Sequence, residues 1–255
     1  MIELETCLQL ENVSHSYGEY PVLSNMNLIL SKGSFCALLG ANGVGKSTLL
    51  RILSGSLTPL KGTVMCWGEL GFVPQDVHPA LPLTALEMVL LGRSGKVGLL
   101  QAPSKADYGA AHAALCRVEA EHLAQRSFSS LSGGERQLVL MARALATEAD
   151  ILILDEPSAA MDWHNQALVL RLLADLAEKG MTIVMSTHSP QHALEFASHA
   201  LLLFGRGQYE FGLPNQVMTE IALSRLYRLP VRRVEIDELP LHGTAVPIFS
   251  MVCND

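Results

Sequence analysis

The chain has 255 residues, room for one large domain or two small ones at ~150 residues each. With 49% hydrophobic and only 17% charged residues it can bury a sizeable core, which excludes a disordered or fibrous chain. A formal net charge of -7 argues against nucleic acid or an anionic lipid surface as the main partner, because both attract basic surface.

In chain order, Met1 to Glu5 carries two acids and no base ahead of any apolar core, unlike a signal peptide. Residues 2 to 32 alternate short apolar runs with turns at Tyr17-Gly18 and Pro21, which predicts an antiparallel β layer. Ser34 to Leu39 reads as a buried strand, a Gly-rich turn follows, and Ser47 to Leu53 has helical spacing that stops at Gly55. Leu70 to Val73 is a short strand ending at Pro74. Residues 84 to 146 carry helical periodicity in three stretches: Ala85 to Leu91, Asp107 to Gln125 and Glu135 to Ala146. Strand–helix alternation then resumes with Ile151 to Leu154, Asn165 to Glu178 and Thr182 to Met185, the rhythm of a mostly parallel sheet covered by helices. The expected division is an α/β core of 1–83 and 147–222, a helical insertion of 84–146, and a short β-containing tail of 223–255. No apolar run reaches the ~18 residues of a membrane span, although mean hydropathy is +0.27. Strands buried on both faces and a large apolar docking surface would each explain that excess, and both are expected. The five cysteines, Cys7, Cys36, Cys66, Cys116 and Cys253, are odd in number and never form a C-x-x-C pair. They read as reduced core thiols of a cytosolic protein, without zinc or disulfides.

Gly40-Ala41-Asn42-Gly43-Val44-Gly45-Lys46-Ser47 fits G-x-x-x-x-G-K-[ST] between a strand and a helix, where that phosphate-binding loop must sit. Its glycines let backbone N–H groups converge on phosphate oxygens, and the helix start adds favourable partial charge. Lys46 would bind β- and γ-phosphates, and the Ser47 hydroxyl would ligate Mg²⁺. Downstream, Ile151 to Leu154 ends in Asp155-Glu156-Pro157, and carboxylates at the C-terminal end of a buried parallel strand are placed for ligand chemistry. Asp155 is assigned to the Mg²⁺ shell and Glu156 to accepting a proton from, or orienting, the attacking water; without the upstream phosphate loop the pair would read as a solvated turn.

Between these motifs stands Leu131-Ser132-Gly133-Gly134-Glu135. Read alone, it is a helix start with Ser132 as N-cap and Glu135 completing a capping box. The three motifs together resemble the ATP-binding cassette (ABC) family over residues ~4 to ~220. The resemblance implies an α/β P-loop NTPase fold of RecA-like type, with a mostly parallel sheet, an antiparallel β layer and an inserted helical signature subdomain. It implies an ATPase using ATP and Mg²⁺, in which Ser132, Gly133 and Gly134 contact the γ-phosphate of ATP held by the opposite subunit of a homodimer. It also maps Gly40, Asn42, Gly43, Gly45, Lys46, Ser47 and Thr48 onto the nucleotide. Tyr17 resembles the aromatic that stacks on adenine, with a half-buried strand tyrosine as its alternative. Gln75 resembles the glutamine that reaches Mg²⁺ and the lytic water, with a surface turn residue as its alternative. His188, after the strand Thr182 to Thr187, resembles the histidine that contacts the γ-phosphate. A zinc pair of His188 and His192 is rejected, because Ser189 replaces the needed Glu and Pro190 would interrupt the helix. His112, His122 and His199 receive no role. Ser158-Ala159-Ala160-Met161-Asp162 resembles the loop that communicates between the two sites, with Asp162 its acid. Trp163 beside it is read as core, with the dimer interface as the alternative.

A single cassette without a membrane span or basic arm resembles a transport subunit rather than a fused exporter or a DNA or ribosome machine. The stretch Leu81 to Arg93 resembles the same region in importers of iron chelates, vitamin B12, haem and molybdate. Its apolar excess suits a groove for a permease coupling helix, and ordinary core packing explains about half of it. Leu223 to Pro230 also resembles that subgroup. Twelve residues separate Gly62 from Gln75, a short connection that resembles molybdate/tungstate and zinc importers. The expectation is therefore an importer ATPase at the cytoplasmic face of the inner membrane, joined to permease subunits and indirectly to a substrate-binding protein. Metal oxyanion is the first cargo, iron chelate the second, and zinc or manganese the third. A soluble cassette of the iron–sulfur assembly type is the alternative from a different class.

Overall fold

The computed structural model describes residues 5–75, 81–97, 101–159, 161–234 and 244–247. In chain order the elements are β1 (Thr6–Tyr17), β2 (Tyr20–Ser31), β3 (Phe35–Gly40), α1 (Lys46–Leu53), β4 (Lys61–Cys66), β5 (Leu70–Val73), α2 (Ala85–Leu90), α3 (Lys105–Arg117), α4 (Gly133–Leu145) and β6 (Ile151–Leu154). There follow α5 (Trp163–Glu178), β7 (Thr182–Thr187), α6 (Pro190–Phe196), β8 (His199–Gly205), β9 (Gln208–Gly212), α7 (Pro214–Val217), α8 (Glu220–Tyr227), β10 (Val231–Val234) and β11 (Thr244–Pro247). None of the described helices is long and apolar enough to cross a membrane.

The chain divides into two compact units. The first holds Met1–Cys7, Ser31–Gly33 and Cys66–Met185. Its strands β5, β6 and β7 are parallel neighbours, with Val73 opposite Leu154 and Leu154 opposite Met185. Every residue of β6 and β7 is buried, as strands covered on both faces must be. Its helices α2, α3 and α4 each begin with a complete capping box: Thr84 with Glu87, Ser104 with Asp107, Ser132 with Glu135. A buried Arg93 donates to Asp107 at 3.1 Å, to Glu148 at 2.8 Å and to the Ala146 carbonyl at 2.9 Å, tying the end of α2, the start of α3 and the end of α4 together.

The helical periodicity predicts one stretch from Asp107 to Gln125, but α3 stops at Arg117. Glu119 turns left-handed at φ 57, Ala120 N–H bonds Leu115 C=O at 2.9 Å and Glu119 N–H bonds Cys116 C=O at 3.1 Å. This pair of bonds is a Schellman stop.

The second unit holds Leu8–Leu30, Ser34–Met65 and Ser186–Asp255. The two-residue turn Gly18-Glu19 makes β1 and β2 antiparallel neighbours, and β4 lies on the other side of β1. Fully buried β3 runs parallel to β8, which pairs antiparallel with β9, and β10 pairs antiparallel with β11. One core cluster joins Leu39, Leu194, Leu202, Met218, Leu223 and Leu226, so α6, α7 and α8 cover one face of β3 and β8. Pro190, read from the sequence as interrupting a helix, instead opens α6 from its first position, where its missing N–H has no partner to lose.

Candidate functional site

In the second unit, buried β3 delivers the phosphate loop at its C-terminal end and α1 leaves from the other side of the loop. A Cβ on Gly40 would sit 2.7 Å from Val44 Cγ2 and 2.9 Å from the Leu203 carbonyl, so only glycine lets the loop turn this tightly. Gly45 has φ +114, and a Cβ there would lie 2.3 Å from Val22 Cγ1. Lys46 is buried, and its Nζ donates to the loop's own carbonyls, Gly40 at 2.9 Å and Ala41 at 3.4 Å. Asn42, Gly43 and Ser47 are exposed while Thr48 is buried beneath them, so the Ser47 hydroxyl faces out and Thr48 anchors the helix. Tyr17 ends β1, is 51% exposed and sets its ring edge to face against His15 at 5.1 Å, so half of the side chain is covered and half is open.

His188 follows β7 and is exposed, and its carbonyl accepts the Tyr227 hydroxyl at 3.0 Å. Burial pushes the Tyr227 phenol up, so it stays protonated as a donor. Thr187 Oγ1 accepts Ser189 N–H at 3.1 Å and lies 3.1 Å from His192 Nδ1, which fixes the turn after His188. Tyr227 and Thr187 were not found in the sequence. Tyr227 stands 39 residues from His188, and only the return of α8 reveals the contact.

In the first unit, register explains the acidic site. Val73 of β5 pairs with Leu154 of β6, and two residues beyond each come Gln75 and Glu156, side by side. Gln75 Nε2 donates to Glu156 Oε2 at 3.2 Å. Asp155 N–H bonds the Val73 carbonyl at 2.9 Å, which holds that carboxylate at the strand end. Glu156 is left-handed at φ 49, a conformation that costs of order 1–3 kcal/mol in a non-glycine residue and that clusters at functional positions.

The signature start is also in this unit. Ser132 Oγ accepts Glu135 N–H at 3.3 Å, and Glu135 Oε2 accepts Ser132 N–H at 2.7 Å. The backbone bond from Ser132, with lesser help from the Ser132 hydroxyl and Arg126, holds the Glu135 carboxyl below its usual pKa against a partial desolvation. A Cβ on Gly134 would meet Met161 at 3.6 Å, so the signature helix start and the 158–162 stretch touch. Asp162 caps α5, accepting Asn165 N–H at 2.9 Å and Asn165 Nδ2 at 3.0 Å. Ala160 lies outside the described residues.

Two expectations are corrected. Trp163, read as core, is 89% exposed at the start of α5. The thiols divide: Cys7 and Cys36 are buried, and burial pushes Cys36 up to about 12, but Cys66 and Cys116 are exposed, while Cys253 lies outside the described residues. The stretch from Leu81 to Leu91 divides between core packing and exposed apolar surface. Ala85, Met88, Val89 and Leu90 face the core, leaving Leu81 (67%) and Leu91 (50%) exposed at its two ends.

The sequence model of the family described as ABC transporter matches residues 23–159. The molybdate import ATP-binding protein MolC of Haemophilus influenzae is 40% identical over 230 residues, covering 89% of this chain and 90% of that one. The manganese transport system ATP-binding protein MntB of Bacillus subtilis is 37% identical over 230 residues, covering 86% and 92%. A solved inward-facing ABC transporter assigned to the metal-chelate type superposes with a TM-score of 0.90 at 38% identity, covering 96% of this chain and 98% of that one. A dimeric cassette in a post-hydrolysis state with ADP and Pi gives 0.70 at 31% identity, covering 80% and 97%.

Proposed function

The chain belongs to the ABC transporter family and is an ATPase of that type, and from that membership we propose that two copies power a separate permease importing a metal-containing nutrient. Metal oxyanion stands first, supported by the molybdate relative and the short Gly62 to Gln75 connection; iron chelate stands second and zinc or manganese third. The complex would lie at the cytoplasmic face of the inner membrane and receive cargo from a substrate-binding protein.

The observation that carries hydrolysis is the Gln75–Glu156 pair at the ends of neighbouring parallel strands. Glu156 accepts a proton from water that the Gln75 amide orients, and the strained Glu156 backbone holds its carboxylate at the strand tip. Lys46 exchanges its bonds to the Gly40 and Ala41 carbonyls for β- and γ-phosphate oxygens. The exposed Ser47 hydroxyl, the Asp155 carboxylate and the Gln75 carbonyl are oxygen donors of the kind a hard cation takes, and we assign Mg²⁺ to them. Bound there, Mg²⁺ would neutralise phosphate charge. His188 is assigned to the γ-phosphate and Tyr17 to adenine. Ser132, Gly133 and Gly134 complete the partner's site, and Asp162 links the two sites across a C₂ dimer. Exposed Trp163, next to Asp162, suits that same interface.

Co-expression with the membrane proteins encoded beside it tests the reading. A detergent-stable complex of two cassettes and two permease chains is expected, and molybdenum, iron or manganese in the purified binding protein ranks the cargoes. Leu81→Ser with Leu91→Ser, at the exposed ends of the stretch, should uncouple that complex while ATP binding persists. Failure to find any permease partner would return the chain to the soluble iron–sulfur type.

A further inference from the structure

We propose that His112, Cys116 and Glu121 form a surface site for one divalent transition-metal ion of the zinc class, separate from the nucleotide chemistry. His112 and Cys116 stand four residues apart on α3, so they share one helix face. The Schellman stop at Val118 to Ala120 then turns the chain, and the following 3-10 turn, Glu121–Leu123, brings Glu121 back to that face. Cys116 Sγ lies 3.7 Å from His112 Nδ1, and Glu121 Oε1 lies 3.3 Å from His112 Nε2. One donor atom from each of the three falls within 4.8 Å of the others, and all three side chains are exposed, so a small rotation closes them on one ion.

The donor set selects the ion. Imidazole nitrogen, thiolate sulfur and carboxylate oxygen together are the ligands of zinc, whereas Mg²⁺ and Ca²⁺ take oxygen. Three protein ligands leave a fourth tetrahedral position to water or to a donor from another molecule. Without a metal, desolvation and then the Glu121 carboxylate hold the Cys116 thiol above its usual pKa. Binding therefore displaces the thiol proton to solvent and replaces the thiol's hydrogen bond to the Glu121 carboxylate with two bonds to one cation.

Cobalt(II), a spectroscopic stand-in for zinc, tests the site on the full chain freed of metal by chelation. One equivalent should produce a thiolate-to-cobalt charge-transfer band that zinc bleaches. The band should vanish in Cys116→Ser and persist in Cys66→Ser and Cys253→Ser. His112→Ala and Glu121→Gln should each weaken cobalt binding by ~10-fold or more, at least the cost of losing an outer-shell partner. Because the three positions are exposed, thermal melts of these variants should match the parent. A parent without the band, a band that survives Cys116→Ser, or His112→Ala and Glu121→Gln titrating like the parent would each overturn the site. The nucleotide-site donors Ser47, Gln75 and Asp155 carry no sulfur, so none of them can produce the signal.

Discussion

Helix α1 begins at Lys46 directly after a left-handed Gly45, with no side-chain cap among the described residues and no acid in its first turn. Helix α4 begins at Gly133 after Ser132, and Ser132 and Glu135 bond each other's backbone N–H. Both starts are glycine-rich and both are proposed phosphate contacts, yet α1 has no side-chain cap among the described residues and α4 carries a complete capping box. A helix start has up to four N–H groups without partners and a positive partial charge. At α1 the proposed anion would draw on that partial charge, and the loop's shape depends on Gly40, Gly45 and the packing of Val22 and Val44. At α4 the side chains of Ser132 and Glu135 spend part of that potential on the fold, and Glu135 brings negative charge close to the N–H groups of Gly133 and Gly134. Nucleotide affinity should therefore concentrate at α1, and α4 should contribute once a second copy is present.

The sharpest break in that contrast is Lys46→Ala. It removes hydrogen bonds to charged phosphate worth ~1.5–3 kcal/mol each, so ATP affinity should fall on the order of a hundredfold by fluorescent-nucleotide titration. Glu156→Gln leaves both helix starts intact and removes only the base, so ATP should bind as in the parent while turnover drops by ~10²–10⁴-fold. Turnover at the parental rate would take Glu156 out of its role. Gly45→Ala acts on stability instead: the left-handed φ and the contact with Val22 together should cost ~1–3 kcal/mol in denaturant melts. Adding Val22→Ala relieves the contact but not the φ, so the double variant should recover part of the loss and never all of it.

What the sequence could show follows the same division. The phosphate loop was legible because its chemistry is local: eight consecutive residues dictate a strand end, a turn and a helix start. Strands β3, β6 and β7 were legible because burial on both faces leaves unbroken apolar runs. The end of α3 was not, because its left-handed stop position holds Glu119 where glycine would have marked the turn. That same miss hid the grouping of His112, Cys116 and Glu121, which no spacing rule for cysteine pairs detects. Val89 and Leu90 could not be told from Leu91 in a helix as short as α2, where six residues carry too little periodicity to fix the core face. Trp163 misled for another reason: a large aromatic is usually buried, and only the placement of Asp162 as the cap of α5 leaves it outside. The side-by-side placement of Gln75 and Glu156 required strand register, and register is set by tertiary pairing.

At α4 the effects should be smaller. Ser132→Ala removes a cap worth ~0.5–2 kcal/mol, so the melting temperature should drop while the nucleotide affinity of the single chain stays at the parental value. A loss of single-chain affinity would erase the contrast between the two starts.

The smallest expected effect is a pH dependence that α4 has and α1 lacks. The Ser132 backbone N–H, with the hydroxyl and Arg126, holds the Glu135 carboxyl below its ordinary value of 4.5 in the folded chain. A depressed carboxylate pKa contributes stability that is fully present above the unfolded value and is lost as pH falls through the folded one. Glu135→Gln keeps a side chain that can still accept from Ser132 N–H but never ionises. The parent should therefore exceed Glu135→Gln in melting temperature by a constant margin from pH 7 down to about pH 5. Below 4.5 that margin should shrink steadily and vanish beneath the folded pKa. The Arg126 ion pair is partly exposed, so raising salt should trim the margin without moving the pH at which it begins to fall. A margin that stayed constant into acid would mean that Glu135 caps α4 by hydrogen bonding alone, and that its charge does not distinguish this start from the one at Lys46, which has no side-chain cap among the described residues.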